Sequence, residues 1–370
     1  MSDTQTQGAT AWRRFRRNPA ALAGLGFVVL CTWAAVFGYV LVPDGSRHAN
    51  LQVLELAKQE PGARGVLLMV PLPGVPAVPW YARWLLGDAQ RHQPLPLAGA
   101  ADLAADAGQV YFTTLSGLRD SLPLSDFGYE AGAAPAVQDF RAAHVREMRY
   151  WLGTDLYGRD LLSRIVLGAR VSLATGLLSV LISLLLGIVL GGIAGYAGGR
   201  TDALIVWLIS VMWSIPTLLL ALALSFVLGK GFWQLFVAIG VSMWVEPARL
   251  VRGQMLAARE LLYVEAGRAL GFPDARLLFR HMLPNLINPV IITAVANFGT
   301  AVLIESGLSF LGIGVEPPAP SWGRMVYEGY TYIVFEHARA LAFFPGLALL
   351  LLIVSINLVG IGLRDAFDVR

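Results

Sequence analysis

The residues able to do chemistry in this chain are few and scattered. Its five histidines, His48, His92, His144, His281 and His337, keep no paired spacing, so neither a zinc site nor a histidine-based catalytic group is indicated. Cys31 is the only cysteine and sits in an apolar run, which excludes a disulfide framework and a cysteine metal site. No GxxxxGKS/T phosphate cradle occurs, the nearest fragment being Gly229-Lys230-Gly231, and no GxSxG elbow occurs. What remains is ionic or amide: Asp155 and Asp160 among Arg159, Arg164 and Arg170; Asn297 with Glu305; and the run Glu265 to Pro284, EAGRALGFPDARLLFRHMLP. Such groups grip, cap and pair, and none is equipped to break a bond.

The elements that hold these groups are apolar. With 56% hydrophobic and only 14% charged residues, the chain falls in the membrane class. A net charge of +3 is too small to point to nucleic acid. Six candidate spans follow from hydropathy: residues 20–42, 171–196, 203–228, 232–245, 285–304 and 341–363. The first follows Arg13, Arg14, Arg16 and Arg17; it is long enough to cross a bilayer and has no small-residue cleavage site, so it reads as a retained helix. An even number of spans puts both termini on one side, and the arginines put that side in the cytoplasm. The same count places 249–284, with its six arginines, in the cytoplasm as well.

Within that segment, Leu256 to Leu270 reads as one helix with Gly271 as its left-handed cap. Pro273 suits the first position of a second helix and Asp274 its positive end; that helix runs to Leu283, where Pro284 stops it. Between the first two spans lies a long region, 43–168, with mixed charge, many prolines and apolar pieces at Gly65 to Val70 and Gln109 to Leu115 that read as short strands. A stretch of this length reads as a small outer subdomain.

The run from Glu265 resembles the EAA loop of ABC importer permeases. It matches at Glu265, Ala266, Gly271, Leu283 and Pro284, with Gly267 in place of the second alanine and His281 in place of an isoleucine. Leu152-Gly153-Thr154-Asp155 with Gly158-Arg159-Asp160, Ser163-Arg164 and Gly168-Ala169-Arg170 resembles the segment before the second span in the dipeptide, oligopeptide and nickel branch of that family. Glu305 to Gly312 with Pro317-Pro318 and Pro320-Ser321-Trp322-Gly323 resembles a second pattern of the same branch. Trp12-Arg13-Arg14, Asn18-Pro19, Asn357, Gly360, Leu363-Arg364-Asp365 and Asp368 extend the likeness to both ends.

The resemblance implies an all-α membrane protein: a six-helix type I ABC importer transmembrane domain with an extracytoplasmic insert between the first two spans. The expected organisation is a cytoplasmic segment 1–19, a first helix 20–42, an insert 43–168, a permease core 169–363 containing the coupling loop 249–284, and a tail 364–370. It implies the permease subunit of a di- or oligopeptide importer in a bacterial inner membrane. Its expected partners are membrane lipid, a second permease in a heterodimer, two ATP-binding subunits and an extracytoplasmic substrate-binding protein. ATP and Mg belong to the ATP-binding subunits, with no cofactor, metal or catalytic residue in this chain. Glu265, Ala266, Gly267, Arg268, Gly271, His281, Leu283 and Pro284 are then the coupling residues, with Arg268 or a partner's arginine pairing Glu265. A nickel or other small-solute importer remains open on the same motifs. An ion-coupled transporter is disfavoured because the span centres lack charge.

For the other candidates two readings stand side by side. Asp155 and Asp160 read as caps or ion pairs in preference to substrate contacts. Glu305, near the outer interface where water reaches it, and Asn297 divide between substrate path or gating and structural hydrogen bonding. The stripe Ser179, Ser183, Gly187, Gly191 and Gly195, spaced by four, reads as close helix packing in preference to a path lining.

Overall fold

The computed structural model describes residues 10–76, 78–99, 103–106, 108–130 and 135–367. In chain order the elements are α1 (Pro19–Leu41), β1 (Ala63–Pro71), α2 (Trp80–Leu86), β2 (His92–Leu97), β3 (Ala104–Asp106), β4 (Gln109–Thr113), β5 (Arg119–Pro123), α3 (Val137–His144) and β6 (Val145–Tyr150). They continue with α4 (Leu161–Ala197), α5 (Gly199–Trp213), α6 (Thr217–Leu228), α7 (Phe232–Ser242), α8 (Val245–Arg259) and α9 (Leu262–Ala269). Last come α10 (Asp274–Phe310), α11 (Trp322–Tyr330) and α12 (Ala340–Phe367).

Among the described residues four helices, α1, α4, α10 and α12, are long and apolar enough to cross a membrane, and the total reaches up to 6 if two bent pairs each make one span. Two of the six candidate spans coincide with the bent pairs. The stretch 203–228 is broken between α5 and α6 by a 93° bend, because Pro216 supplies no N–H and holds an extended ψ of 128°. The stretch 232–245 gives way to α8 through a 42° bend. An all-α description is corrected: residues 63–150 hold two 3-stranded antiparallel sheets, ordered β2-β1-β6 and β3-β4-β5. β1 and β4 fall on the two apolar pieces noted in the sequence.

The chain divides into two compact units. One comprises Trp33–Arg170 and Pro317–Ala348. Its sheets close over Leu68, Val110, Phe112, Leu124 and Phe140, and the other side of β1 packs Leu67 with Leu56, Met148 and Tyr150.

The other unit comprises the described residues up to Thr32, Val171–Glu316 and those from Leu349 on. Here the small-residue stripe of α4 is buried against α7 and α8. Ser179 and Ser183 donate to the carbonyls of Phe236 and Met243 at 3.3 and 2.9 Å. A Cβ at Gly187 would fall 2.7 Å from Pro247, at Gly191 2.3 Å from the Ala248 carbonyl, and at Gly195 2.5 Å from Met255. Small residues at every fourth position therefore let α8 lie directly on α4, which is packing. That contact holds the start of α8 in place, and with it the polar segment that follows.

Candidate functional site

The stretch Leu256 to Leu270 does not form one helix. α8 ends at Arg259, Leu261 turns extended (φ −84°, ψ 140°), and α9 begins at Leu262. The reason is burial. Val264 follows Met255 by nine positions, half a rotation away on a straight helix, yet both belong to one core with Val251, Met282 and Leu286. Breaking the helix brings Val264 back to that core.

α9 ends in a Schellman cap: Phe272 N–H donates to the Gly267 carbonyl at 3.0 Å and Gly271 N–H to Arg268 at 2.9 Å. Gly271 has φ +74°, the left-handed conformation its place in the sequence predicts. Gly267 is buried, and a Cβ there would fall 2.6 Å from Leu277, so glycine in place of alanine lets the two arms close. Pro273 serves as the cap before Asp274 and not as the first helical residue.

The second arm does not stop at Pro284. Leu277–Met282 is wound as π-helix, Leu283–Leu286 as 3-10, and the helix then runs on to Phe310. Pro284 stands in the first turn of the 3-10 stretch, where its missing N–H leaves little unpaired.

Glu265, Ala266, Arg268, Gly271 and Pro284 are exposed, while His281 and Leu283 are half-buried. Arg268 is not the ion-pair partner of Glu265. Its guanidinium lies 5.6 Å from the Tyr196 ring, and Tyr196 in turn donates to Asp274. His281 stacks on Phe272 at 5.9 Å, and Arg276 covers the same ring at 4.1 Å. Around this corner Leu262 is 82% exposed, and Leu270 and Phe279 are also open. An exposed apolar group rimmed by Arg268, Arg276 and Arg280 has the composition of a protein contact.

In the other unit the Asp155 to Arg164 residues close on one another. Asp155 accepts from Arg159 Nε at 2.6 Å and from the Tyr157 and Arg159 amides at 2.8 and 3.0 Å, and Arg164 Nε stands 3.4 Å away. Asp160 caps α4, accepting from the Ser163 amide at 2.8 Å and from its hydroxyl. All four charged side chains are buried. Burial pushes the Asp160 carboxyl above its ordinary value, the bonds from Ser163 oppose that, and Asp44 and Asp155 add to it. Gly158 (φ +72°) is required because a Cβ would fall 1.7 Å from the Val53 carbonyl.

Two partners escaped the sequence reading. Glu328 stands 3.6 Å from Arg159, and its only signal is the Arg324 to Glu328 helical spacing. Trp322 donates to the Ile165 carbonyl at 2.8 Å, its ring filling the space beside Gly168. The Leu152 to Arg170 and Pro317 to Gly323 motifs thus meet in one place.

Asn297 and Glu305 lie on α10. Glu305 is 0% exposed, a correction to the expectation of water access, and accepts from Ser309 at 2.7 Å. A cavity of about 460 Å³ opens at both helix breaks, lined by Met212, Trp213, Pro216, Thr217, Glu246 and Thr300. Non-helical backbone at membrane depth is tolerated where it lines such a space, and Pro216 after a run of apolar residues was its sequence signal. Asp368 lies outside the described residues.

An apolar helical chain with broken spans, a cavity at the breaks and an exposed basic corner has the makings of a membrane transport subunit. Residues 187–370 match the family described as binding-protein-dependent transport system inner membrane component. Residues 6–57 match the N-terminal TM domain of oligopeptide transport permease C. The glutathione transport system permease protein GsiD of Pectobacterium atrosepticum is 40% identical over 219 residues, 59% of this chain and 72% of that protein. The oligopeptide transport system permease protein OppC of Bacillus subtilis is 38% identical, over 59% and 71%. Among solved structures, inward-facing MetNI methionine ABC transporter aligns at TM-score 0.47 and 18% identity, over 56% of this chain and 98% of that one.

The chain belongs to the binding-protein-dependent inner membrane components, the multi-pass permease subunits of ABC importers. Such permeases work with ATPase and substrate-binding subunits, and ATP hydrolysis resides in the ATPase subunits.

Proposed function

We propose that this chain imports peptides as one half of a permease heterodimer, passing through the bacterial inner membrane six times with both termini in the cytoplasm. The observation that carries the substrate is that relatives named for glutathione and for oligopeptides, both peptides, are near 40% identical to it. Two ATP-binding subunits hold ATP and Mg, and the corner at Gly271 docks on them. Leu262, Leu270 and Phe279 supply its apolar contact, with Glu265 open to a partner's arginine. Nucleotide closure moves the corner only insofar as the ATPases hold it differently in their two states. The cavity at the helix breaks is the peptide path, with Glu246 facing it, and Asn297 and Glu305 brace the wall on α10. Residues 43–168 lie outside the cytoplasm, where they meet the binding protein or cover the mouth.

Purifying the tagged chain in mild detergent from its host, with mass spectrometry of what accompanies it, tests the assembly. ATPase subunits and a second permease are expected, and a chain that comes out alone yet still transports overturns the reading. Leu262→Ser with Leu270→Ser leaves stability within about 0.5 kcal/mol, since both side chains are exposed, while the ATPase subunits are lost from the purified complex. Peptide uptake in vesicles, competed by di- and tripeptides, tests the substrate.

A further inference from the structure

Helix α2, WYARWLL, has no buried residue. Trp80 is 80% exposed, and Tyr81, Leu85 and Leu86 are exposed too. Such a surface on a seven-residue helix is out of place in water. Its location explains it.

The Trp84 ring packs 5.9 Å from Phe37. Gly87 is pressed so close to Tyr39 that a Cβ would fall 2.6 Å from its ring. Arg170 donates to the Leu85 carbonyl at 2.7 Å and to the Val36 carbonyl at 3.1 Å, also donates to the Ala35 carbonyl, and lies 4.4 Å over the Tyr39 ring. These contacts fix α2 beside the last turns of α1, a 23-residue helix of mean hydropathy 2.2 that qualifies as a span. At about 1.5 Å per residue, Phe37 lies about 6 Å inside the Leu41 end. That is the depth of the boundary between headgroups and acyl chains, where tryptophan, tyrosine and arginine gather.

We propose that α2 is a membrane-surface anchor: Trp80, Tyr81, Leu85 and Leu86 enter the phospholipid leaflet at the Leu41 end of α1. The anchor ties the folded region between β1 and β2 to the lipid surface independently of any partner. Of the possible occupants of this face, lipid is chosen by continuity with the span that α2 flanks.

The test uses the assembled transporter in phospholipid nanodiscs. Cys31 is the only cysteine of this chain, so with partner subunits freed of cysteine a Cys31→Ala background accepts one environment-sensitive fluorophore at Tyr81→Cys, with Leu41→Cys and Leu118→Cys as references at the end of the span and on the exposed β4–β5 turn. With nitroxide lipids carrying the spin near the headgroup, the Tyr81 label is expected to be blue-shifted and quenched like the Leu41 label, about threefold more than the Leu118 label. Quenching no greater than at Leu118 overturns the proposal. So does a blue-shifted but unquenched label, which means that protein and not lipid covers the helix. Leu86→Cys reads the same surface if the Tyr81 variant fails to assemble.

Discussion

Two charged interludes separate apolar segments in this chain, and they end in opposite states. The Asp155 to Arg164 cluster is sealed, each of its four charged side chains buried. The corner at Gly271 leaves Glu265, Arg268, Arg276 and Arg280 in the open. Composition alone does not separate them. Two differences do. The first cluster balances two acids against two bases and adds Ser163, Asn50 and Glu328 to close the network, so its charges are matched when water leaves. The second has an excess of arginine and three large apolar side chains with nothing of their own to cover them. A closed network belongs to stability, and an open one waits for a partner.

Removing Asp155 is the strongest way to break the first half of that contrast. Asp155→Ala leaves Arg159 and Arg164 buried without their shared carboxylate, a loss of about 3–5 kcal/mol. Membrane yield and thermal unfolding in detergent report it. If the variant melts with wild type, the cluster is hydrated and the contrast fails.

Gly271→Pro breaks the second half. Proline cannot reach φ +74° and deletes the N–H given to Arg268, a local cost of about 3 kcal/mol. Uptake should vanish while the subunit still inserts, because Gly271 is exposed and buries no core. Gly271→Ala meets no neighbour within 4 Å, so only the left-handed backbone costs, about 1–2 kcal/mol, and uptake should fall partway. Normal uptake in the proline variant means that the corner does not couple.

The sequence made the corner legible at one residue and illegible at its neighbours for a physical reason. Gly271 announced itself because a cap needs a left-handed residue. The break at Leu261 carried no glycine or proline; it arises because Val264 must rejoin the core around Met255, a tertiary demand. Pro284 misled in the other direction, since a proline in the first turn of a 3-10 stretch does not stop the helix. The stripe on α4 was legible because spacing by four is local, while its targets on α8 were not. The strands β1 and β4 showed as apolar pieces, but β1 pairing with β6, far away in the chain, left no local trace. The burial of Glu305 and of the Asp155 cluster was invisible for the same reason: the groups that close on Arg159 and Arg164 come from segments distant in the chain, among them Glu328 and the Pro318 carbonyl.

The finest test of the contrast lies inside the closed cluster, between its two acids. Asp155 faces arginines, whereas Asp160 is held by a hydroxyl and an amide. Its carboxyl is pushed up by burial, so the folded protein takes its proton more readily than the unfolded chain. The resulting stability is full below the unfolded carboxyl value of about 3.9 and is lost as pH rises through the higher folded value. At neutral pH wild type therefore carries a cost there that Asp160→Asn does not. Asparagine caps a helix as well as aspartate, so the variant should unfold within about 1 kcal/mol of wild type. Wild type should gain on the variant as pH is lowered from neutrality. Melting curves of both proteins across that range decide it: a wild type that instead loses ground on acidification shows Asp160 working as a charged partner of the arginines, with the cluster needing both of its negative charges.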